Sequence, residues 1–306
     1  MGEVIVIVGP TCSGKTQLSI EIAKNIKTEI ISADSRQIYK YLDIGTAKPA
    51  KSDLEKVKHH FIDELDPKED FNASIFAARA NDIIQKLIAI NIVPIIVGGS
   101  GLYIKAVIDG ITESADTNIE IRTELLLLRQ TYGDEYLYNE LKKVDEVSAS
   151  KMLPQNWKRV MRALEVQRLT GKPIWQHHSE RNEYAKFNYK QVGLLWDRIM
   201  LNQNIEKRVD EMIELGLIKE VKSLLESGYS KNLNALNTVG YKEIIQYIEN
   251  EISLDRAIEL IKRNTRRYAK RQMTWFNKDK RITWFQIHKE NDLINVRDKI
   301  LKSYLK

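Results

Sequence analysis

Val4-Ile5-Val6-Ile7-Val8-Gly9-Pro10-Thr11-Cys12-Ser13-Gly14-Lys15-Thr16 is the stretch that decides the fold. Its first five residues are all β-branched, with no polar residue among them. A strand needs that composition when both of its faces are buried, as in a parallel sheet. The next eight residues match G-x-x-x-x-G-K-[ST] in full. Glycines let such a loop turn its backbone N–H groups inward on an anion, and the helix that follows adds the positive end of its dipole. Lys15 reaches the phosphates, and the Thr16 hydroxyl can ligate Mg²⁺. The pattern arises by chance in roughly 1% of chains this long, and here it also stands between a strand and a helix, so a plain glycine turn is set aside. The loop predicts a bound di- or triphosphate without saying which one. Cys12 lies within it. A thiol near a helix N-terminus can be activated, but only backbone groups matter at this point of the loop, and a tolerated small residue is the simpler reading.

Outward from the loop, strand and helix alternate. A helix is expected from Lys15 to about Asn25 and a second strand over Glu29–Ser32. Asn72 is placed to cap a helix reaching toward Ala89, and a third strand over Val93–Val97 runs into Gly98-Gly99. This alternation predicts an α/β fold of the P-loop NTPase kind, a parallel sheet flanked by helices. Between residues 113 and 189 the strand pattern is weak, and the segment reads as a helical insertion, leaving a core of residues 1–112 and 190–306. Val192–Leu195 returns to the sheet. Helices follow near Ile205–Leu215, Ile218–Ser227 and Leu254–Phe276, and Ile282–Phe285 is a last strand. Asp34 stands just past the second strand, at the edge of such sheets that carries chemistry. It reads as a metal-orienting acid, a general base or a turn-capping carboxylate.

Composition narrows the setting. Of 306 residues, 43% are hydrophobic and 29% charged, which excludes wholesale disorder. With one cysteine there is no internal disulfide. The apolar start has no basic residues before it and reads as a strand, not a signal peptide, so a cytoplasmic location is expected. No run approaches the roughly 18 apolar residues of a membrane span, so no membrane partner is expected. The net charge of +6 is mild, but Arg263 to Arg281 holds eight Lys or Arg and one acid, Asp279. A local excess of that kind points to a polyanion. On a helical wheel Arg263, Arg266 and Lys270 share a face, with Ala257, Ile261, Tyr268 and Trp275 as the apolar stripe. The pairs His59-His60 and His177-His178 lack metal-site spacing and read as structural.

In this order the chain also carries Asp34-Ser35-Arg36-Gln37-Ile38-Tyr39, Asp43-Ile44-Gly45-Thr46-Ala47-Lys48-Pro49, His59-His60-Phe61-Ile62-Asp63 and Val97-Gly98-Gly99-Ser100-Gly101-Leu102-Tyr103. Arg159-Val160-Met161-Arg162-Ala163-Leu164-Glu165, Val239-Gly240-Tyr241-Lys242-Glu243 and the stretch from Thr265 through Phe276 follow. Together with the loop these resemble the tRNA dimethylallyltransferase (isopentenyltransferase) family over nearly the whole chain. The resemblance implies transfer of a dimethylallyl group from dimethylallyl diphosphate to the exocyclic amine of an adenosine on the 3′ side of the anticodon. The tRNAs would be those reading codons that begin with U, and diphosphate is released. It implies Mg²⁺ as cofactor, the tRNA anticodon stem-loop as partner and a monomer.

Carried over by position, Gly9, Pro10, Thr11, Cys12, Ser13, Gly14, Lys15 and Thr16 would hold the diphosphate and the metal, with Arg198 as a clamp. Asp34 resembles the general base, and Ser100 the hydroxyl at the leaving group's bridging oxygen, where the family more often has threonine. Asp34, Ser35, Arg36, Gln37, Ser100, Arg122, Lys158, Arg159, Val160, Met161, Arg162, Asn237, Thr238, Val239, Gly240, Tyr241 and Lys242 resemble tRNA contacts, and the basic face of Arg263, Arg266 and Lys270 joins them. One departure is Pro154-Gln155-Asn156, where the family's third residue is an aspartate. Three rivals share parts of the pattern: a small-molecule kinase, a prenyltransferase acting on free adenine nucleotides, and an RNA-remodelling ATPase. The basic C-terminal region weighs against the first two, and no water-positioning residue stands out for the third.

Overall fold

Val4 to Val8 are all 0% exposed, and the strand they form, β1 (Glu3–Val8), runs through the middle of the sheet. The other strands are β2 (Ile30–Ser32), β3 (His59–His60), β4 (Ile95–Gly98), β5 (Asn188–Trp196) and β6 (Thr283–Ile287). The sheet order is β3-β2-β4-β1-β5-β6, and every neighbouring pair is parallel. The computed structural model describes residues 2–110, 118–179 and 187–304.

The chain divides into two units. The first joins Met1–Ile108 to Lys186–Lys306, and the second is Asp109–Ala185. The first unit holds the sheet with α1 (Lys15–Ile26), α2 (Lys51–Lys56), α3 (Ala73–Ala89) and α4 (Gly101–Asp109). The second holds α5 (Ile119–Tyr132), α6 (Asp134–Val144), α7 (Glu146–Ala149), α8 (Trp157–Thr170) and α9 (Ile174–Ser179). The first unit resumes with β5, α10 (Arg198–Glu214), α11 (Leu217–Glu226), α12 (Tyr241–Ile248), α13 (Leu254–Phe276), β6 and α14 (Asp292–Tyr304). Among the described residues, no helix is long and apolar enough to cross a membrane.

Capping explains several boundaries. Asn72 accepts from the N–H groups of Ser74 and Ile75, opening α3 as its sequence predicts. Asp197 accepts from Ile199 and Met200, so α10 starts seven residues before the expected Ile205. Three other expectations change. β5 begins at Asn188, which returns Asn188 and Tyr189 to the sheet, and the second unit, Asp109–Ala185, starts four residues before the insertion expected over 113–189. β3 has only two residues and exists because it pairs with Ile30 and Ile31 of β2. The helices α2, α4, α12 and α14 add to those the sequence predicts. α14 is held by packing Leu293, Val296 and Ile300 into the core formed by Leu18 and Ile22 of α1 and Ile5 and Ile7 of β1.

α13 buries Ala257, Ile261, Ala269, Gln272 and Phe276. The first two belong to the expected stripe. Trp275 does not go inside: it remains 38% exposed. Gly101 leaves room for its indole, since a Cβ there would lie 2.2 Å from the ring.

The second unit has its own core of Leu125, Leu137, Leu141, Val160, Leu164 and Val166. Glu165 places a carboxylate inside it. Glu165 is 0% exposed and accepts from Arg162 at 2.7 Å, from Arg122 at 3.4 Å and from the Asn118 N–H at 3.1 Å. Arg162 and Arg122 are held by this acid. The Pro154–Asn156 turn is closed by Asn156, whose Oδ1 accepts from the Leu153 N–H at 3.3 Å, so a neutral amide does the capping that the aspartate would do. Glu165→Ala leaves two guanidinium groups beside an apolar core without their shared acceptor. It should destabilise the second unit by about 3 kcal/mol, read as an earlier transition in denaturant, with Glu165→Gln falling between.

Candidate active site

The ends of β1, β4 and β2 meet at one edge of the sheet because the ladder pairs Val8 with Gly98 and Ser32 with Val97. The P-loop leaves the end of β1. Its backbone is unusual: Cys12 and Gly14 have φ of 61° and 83°, in the left-handed region. Cys12 holds a conformation that costs an L residue about 1–2 kcal/mol. Trp196 donates its indole N–H to the Ser13 carbonyl at 3.0 Å and supports the loop from β5. Lys15 donates to the Pro10 carbonyl at 2.5 Å and to Ser13 Oγ at 3.5 Å. Burial, and then the charge of Arg208, pull its pKa down to about 8.

Asp34 follows β2. Its Oδ1 accepts from the N–H groups of Arg36 at 2.8 Å and Gln37 at 3.3 Å, an arrangement that fixes the carboxylate plane. Its Oδ2 accepts no hydrogen bond among the described residues. Ser100 follows β4. Its N–H donates to the Ala33 carbonyl at 3.2 Å, and its Oγ accepts from the Ser35 N–H at 3.1 Å. Asp34 and Ser100 are therefore locked together through the residues on either side of Asp34.

Two cavities open here. The first, about 680 Å³, is lined by the P-loop from Thr11 to Thr16 with Lys48, His59 and Gln272. The second, about 500 Å³, is lined by Ser35, Arg36, Asn237, Thr238, Val239, Gly240 and Lys242 with Arg267 and Arg271. Thr11, Asp34, Thr46, Ala47, Arg208 and Tyr268 line both. Asp34 thus stands between an anion cradle and a basic chamber. The Tyr268 phenol faces the Ser100 hydroxyl and Asp34, and burial raises its pKa to about 12, so it stays neutral. Gln37 turns inward, its Nε2 donating to the carbonyls of Thr46 at 3.2 Å and Ala47 at 3.1 Å.

The loop of residues 43–49 is shaped by an acid that no sequence motif marks. Glu220 of α11 accepts from the N–H groups of Asp43, Ile44 and Gly45 at 3.0, 2.7 and 3.1 Å. Tyr241 donates to the same carboxylate at 2.6 Å. Tyr241 is 0% exposed, so its side chain supports this loop and does not face a ligand. Lys48 lines the first cavity while bonded to Asp43, Asp63 and the Tyr39 carbonyl.

Other expected site residues fall elsewhere. Arg198 is exposed at the start of α10 and lines neither cavity. On the same helix Arg208, ten residues or about 15 Å further along, lines both cavities. Val160 and Met161 are core residues of the second unit, 0% and 8% exposed, while Lys158 and Arg159 are exposed on α8. On α13, Arg266 pairs with Glu206 at 2.9 Å, and the Arg263 Nε is buried without a partner among the described residues. Lys270 is exposed, but it lines neither cavity. The basic residues at the second cavity are Arg267 and Arg271. They sit one position on from Arg266 and Lys270, or about 100° around the helix. A helical wheel does not give that phase, because Gln272, a polar residue, is part of the buried stripe.

His60 pairs with Glu29 at 2.5 Å, and His59 bonds the Val57 carbonyl at 2.7 Å, both structural contacts. The side chains of His177 and His178 lie outside the described residues. Among those described, no three His, Cys, Asp or Glu residues cluster as a metal cage. Thr16 and Asp34 nonetheless line the same chamber. The Thr16 hydroxyl suits Mg²⁺, which takes few protein ligands and fills its octahedron with phosphate oxygens and water.

A family model described as IPP transferase matches residues 37–279. A tRNA dimethylallyltransferase of Acetivibrio thermocellus is 47% identical, over 99% of this chain and 96% of its own. One from Carboxydothermus hydrogenoformans is 46% identical over 98% and 96%. Among solved structures, the full-length tRNA isopentenylpyrophosphate transferase of Bacillus halodurans superposes with a TM-score of 0.72 at 36% identity, covering 99% of this chain and 96% of its own. A eukaryotic dimethylallyltransferase described as acting on tRNA reaches 0.80 at 29% identity, over 94% of this chain and 74% of its own. With a parallel sheet that carries an anion loop, an acid and a hydroxyl at one edge, and with likeness over nearly its full length, the chain belongs to the IPP transferase family.

Proposed function

We propose that the chain transfers a dimethylallyl group from dimethylallyl diphosphate to the exocyclic amine of the adenosine 3′ to the anticodon, in tRNAs reading codons that begin with U. The observation that carries this reading is the position of Asp34, shared by the anion cradle and the basic chamber. The diphosphate occupies the P-loop, and the nucleobase enters from the second cavity between Arg36, Arg267 and Arg271. A loop base leaves its stack at a cost of a few kcal/mol, which these contacts offset.

The adenine amine is a weak nucleophile because its lone pair is conjugated with the ring. As the N–C bond forms at the allylic carbon, the amine proton passes to Asp34 Oδ2, whose partner oxygen is held by two backbone N–H groups. The C–O bond breaks and its electron pair leaves with the diphosphate. Backbone N–H groups of the loop, Lys15 and Arg208 meet that charge. The Ser100 hydroxyl accepts from the Ser35 N–H and carries one proton of its own, which it would turn to the bridging oxygen. Mg²⁺ held by Thr16 would neutralise part of the leaving group's charge. Arg122, Lys158, Arg159 and Arg162 of the second unit would grip the anticodon arm, Lys158 and Arg159 through exposed side chains. We place this work in the cytoplasm, by a monomer.

Asp34→Asn keeps the hydrogen bonds to Arg36 and Gln37 and removes basicity. Single-turnover transfer should fall by on the order of 10²-fold or more with both substrates still bound, and rescue by excess Mg²⁺ would sink the assignment. Diphosphate affinity should hold below pH 8 and weaken as pH rises through about 8, because the cationic form of Lys15 binds the anion and the folded protein lowers its pKa. Titration by calorimetry at several pH values checks this, and Lys15→Ala should bind weakly with that step missing. Replacing Arg267 and Arg271 with Gln should weaken tRNA binding and lower the salt slope by about 1 for each phosphate no longer neutralised. The same change at Arg263 and Arg266, which face the protein, should move it less. Equal slopes for the two pairs would contradict this assignment of faces.

A further inference from the structure

The last rung of the ladder between β1 and β4 joins Val8 to Gly98. Beyond it the two chains part, one into the P-loop and the other through Gly99 and Ser100 into α4. One side chain spans the gap. Gln272 of α13 accepts from the Thr11 N–H through Oε1 at 2.8 Å and donates through Nε2 to the Gly99 carbonyl at 3.0 Å. It is 6% exposed, and Gly99 leaves space for it, since a Cβ on Gly99 would lie 2.1 Å from Nε2. Among the described residues, no other side chain bonds both segments.

The two partners demand an amide. Thr11 N–H needs an acceptor and the Gly99 carbonyl needs a donor, and an uncharged carboxamide offers one of each on a rigid plane. A carboxylate would set an acceptor against the Gly99 oxygen, an ammonium would set a donor against the Thr11 N–H, and a thioether of the same volume would leave both groups unsatisfied. Gly99 precedes Ser100, and Ser100 is bonded on both sides to the segment that carries Asp34, through the Ala33 carbonyl and the Ser35 N–H. Base and leaving-group hydroxyl therefore move as one corner, and the amide is its brace against the loop that holds the diphosphate.

We propose that Gln272 is a positioning residue, which sets the spacing between the diphosphate cradle and the Asp34–Ser100 corner by acting through Thr11 and Gly99. The inference rests on the transfer reading of this site. Its effect belongs on the rate constant, because a reacting centre misplaced by about 1 Å loses on the order of 10²-fold in rate while most binding interactions survive.

The test is single-turnover transfer from labelled dimethylallyl diphosphate to tRNA at saturating concentrations, with calorimetric titration of inorganic diphosphate alongside. Gln272→Met should slow transfer by about 10- to 100-fold, with affinities for inorganic diphosphate and tRNA changed by less than about threefold. A purely structural role would lower the melting temperature and leave the rate constant of the folded fraction intact, and that outcome overturns the proposal. So does a loss of rate that higher substrate concentration restores in full. If Gln272→Met does not fold, Gln272→Glu carries the test: it keeps the acceptor for Thr11 and loses the donor to Gly99, and must also be slow at saturation. Wild-type protein that transfers nothing to tRNA would overturn the transfer reading itself, whereas active wild type with variants of equal rate would overturn only the role of Gln272.

Discussion

The ladder that pairs Val8 with Gly98 and Ser32 with Val97 carries the rest of the site. Parallel strands with matched register end at one edge, and whatever leaves those ends is brought together without any contact between the side chains concerned. Here three different chemistries leave at once: a phosphate-binding turn from β1, a carboxylate from β2 and a hydroxyl from β4. A shift of register by one residue would exchange the two buried faces of a strand and misalign its end with its neighbours, so the packing of the core and the alignment of the site edge are specified by the same pairing. Val4 to Val8, at 0% exposure, are buried on both faces of that sheet.

Around this edge, shape depends on buried and half-buried polar groups that gather backbone and side-chain partners. Glu220 gathers three backbone N–H groups of the 43–45 turn, Gln272 braces the loop against Gly99, and Glu165 collects two arginines and an N–H within the second unit. Each is an acceptor or amide that costs free energy if left unpaired in a low dielectric, and each specifies one arrangement of backbone once satisfied. Several residues expected among the tRNA contacts also belong to these networks. Tyr241 shapes a loop through Glu220, and Arg122 and Arg162 bond Glu165. Charge in a motif is thus divided between what faces a ligand and what holds the wall in place.

The anion loop, its strand and its helix were legible from residues 4–16, because their chemistry is local: β-branched burial, glycine turns and a helix N-terminus all act within a few residues. Asp34 was legible as an acid at a strand end, and Asn72 as a cap. Asp197 carries an equally local signal for the start of α10, although the apolar pattern alone points to a later one. Strand β3 and helix α14 were not legible in the same way. Two histidines form a strand only because β2 supplies the partners, and α14 is fixed by Leu293, Val296 and Ile300 meeting α1.

By itself the sequence determined that a phosphate-binding loop opens a parallel α/β sheet, that an acid follows its second strand and that the C-terminal region is basic. Those properties follow from residue type and short spacing. Only the tertiary structure decided which cations face the chamber. It chose Arg208 over Arg198 and Arg267 with Arg271 over Arg263 with Arg266, since a helix of 23 residues presents every direction and packing selects one. It also decided that Gln272 lies inside, where a polar residue is tolerated because a backbone donor and a backbone acceptor, far apart in sequence, meet at its two ends.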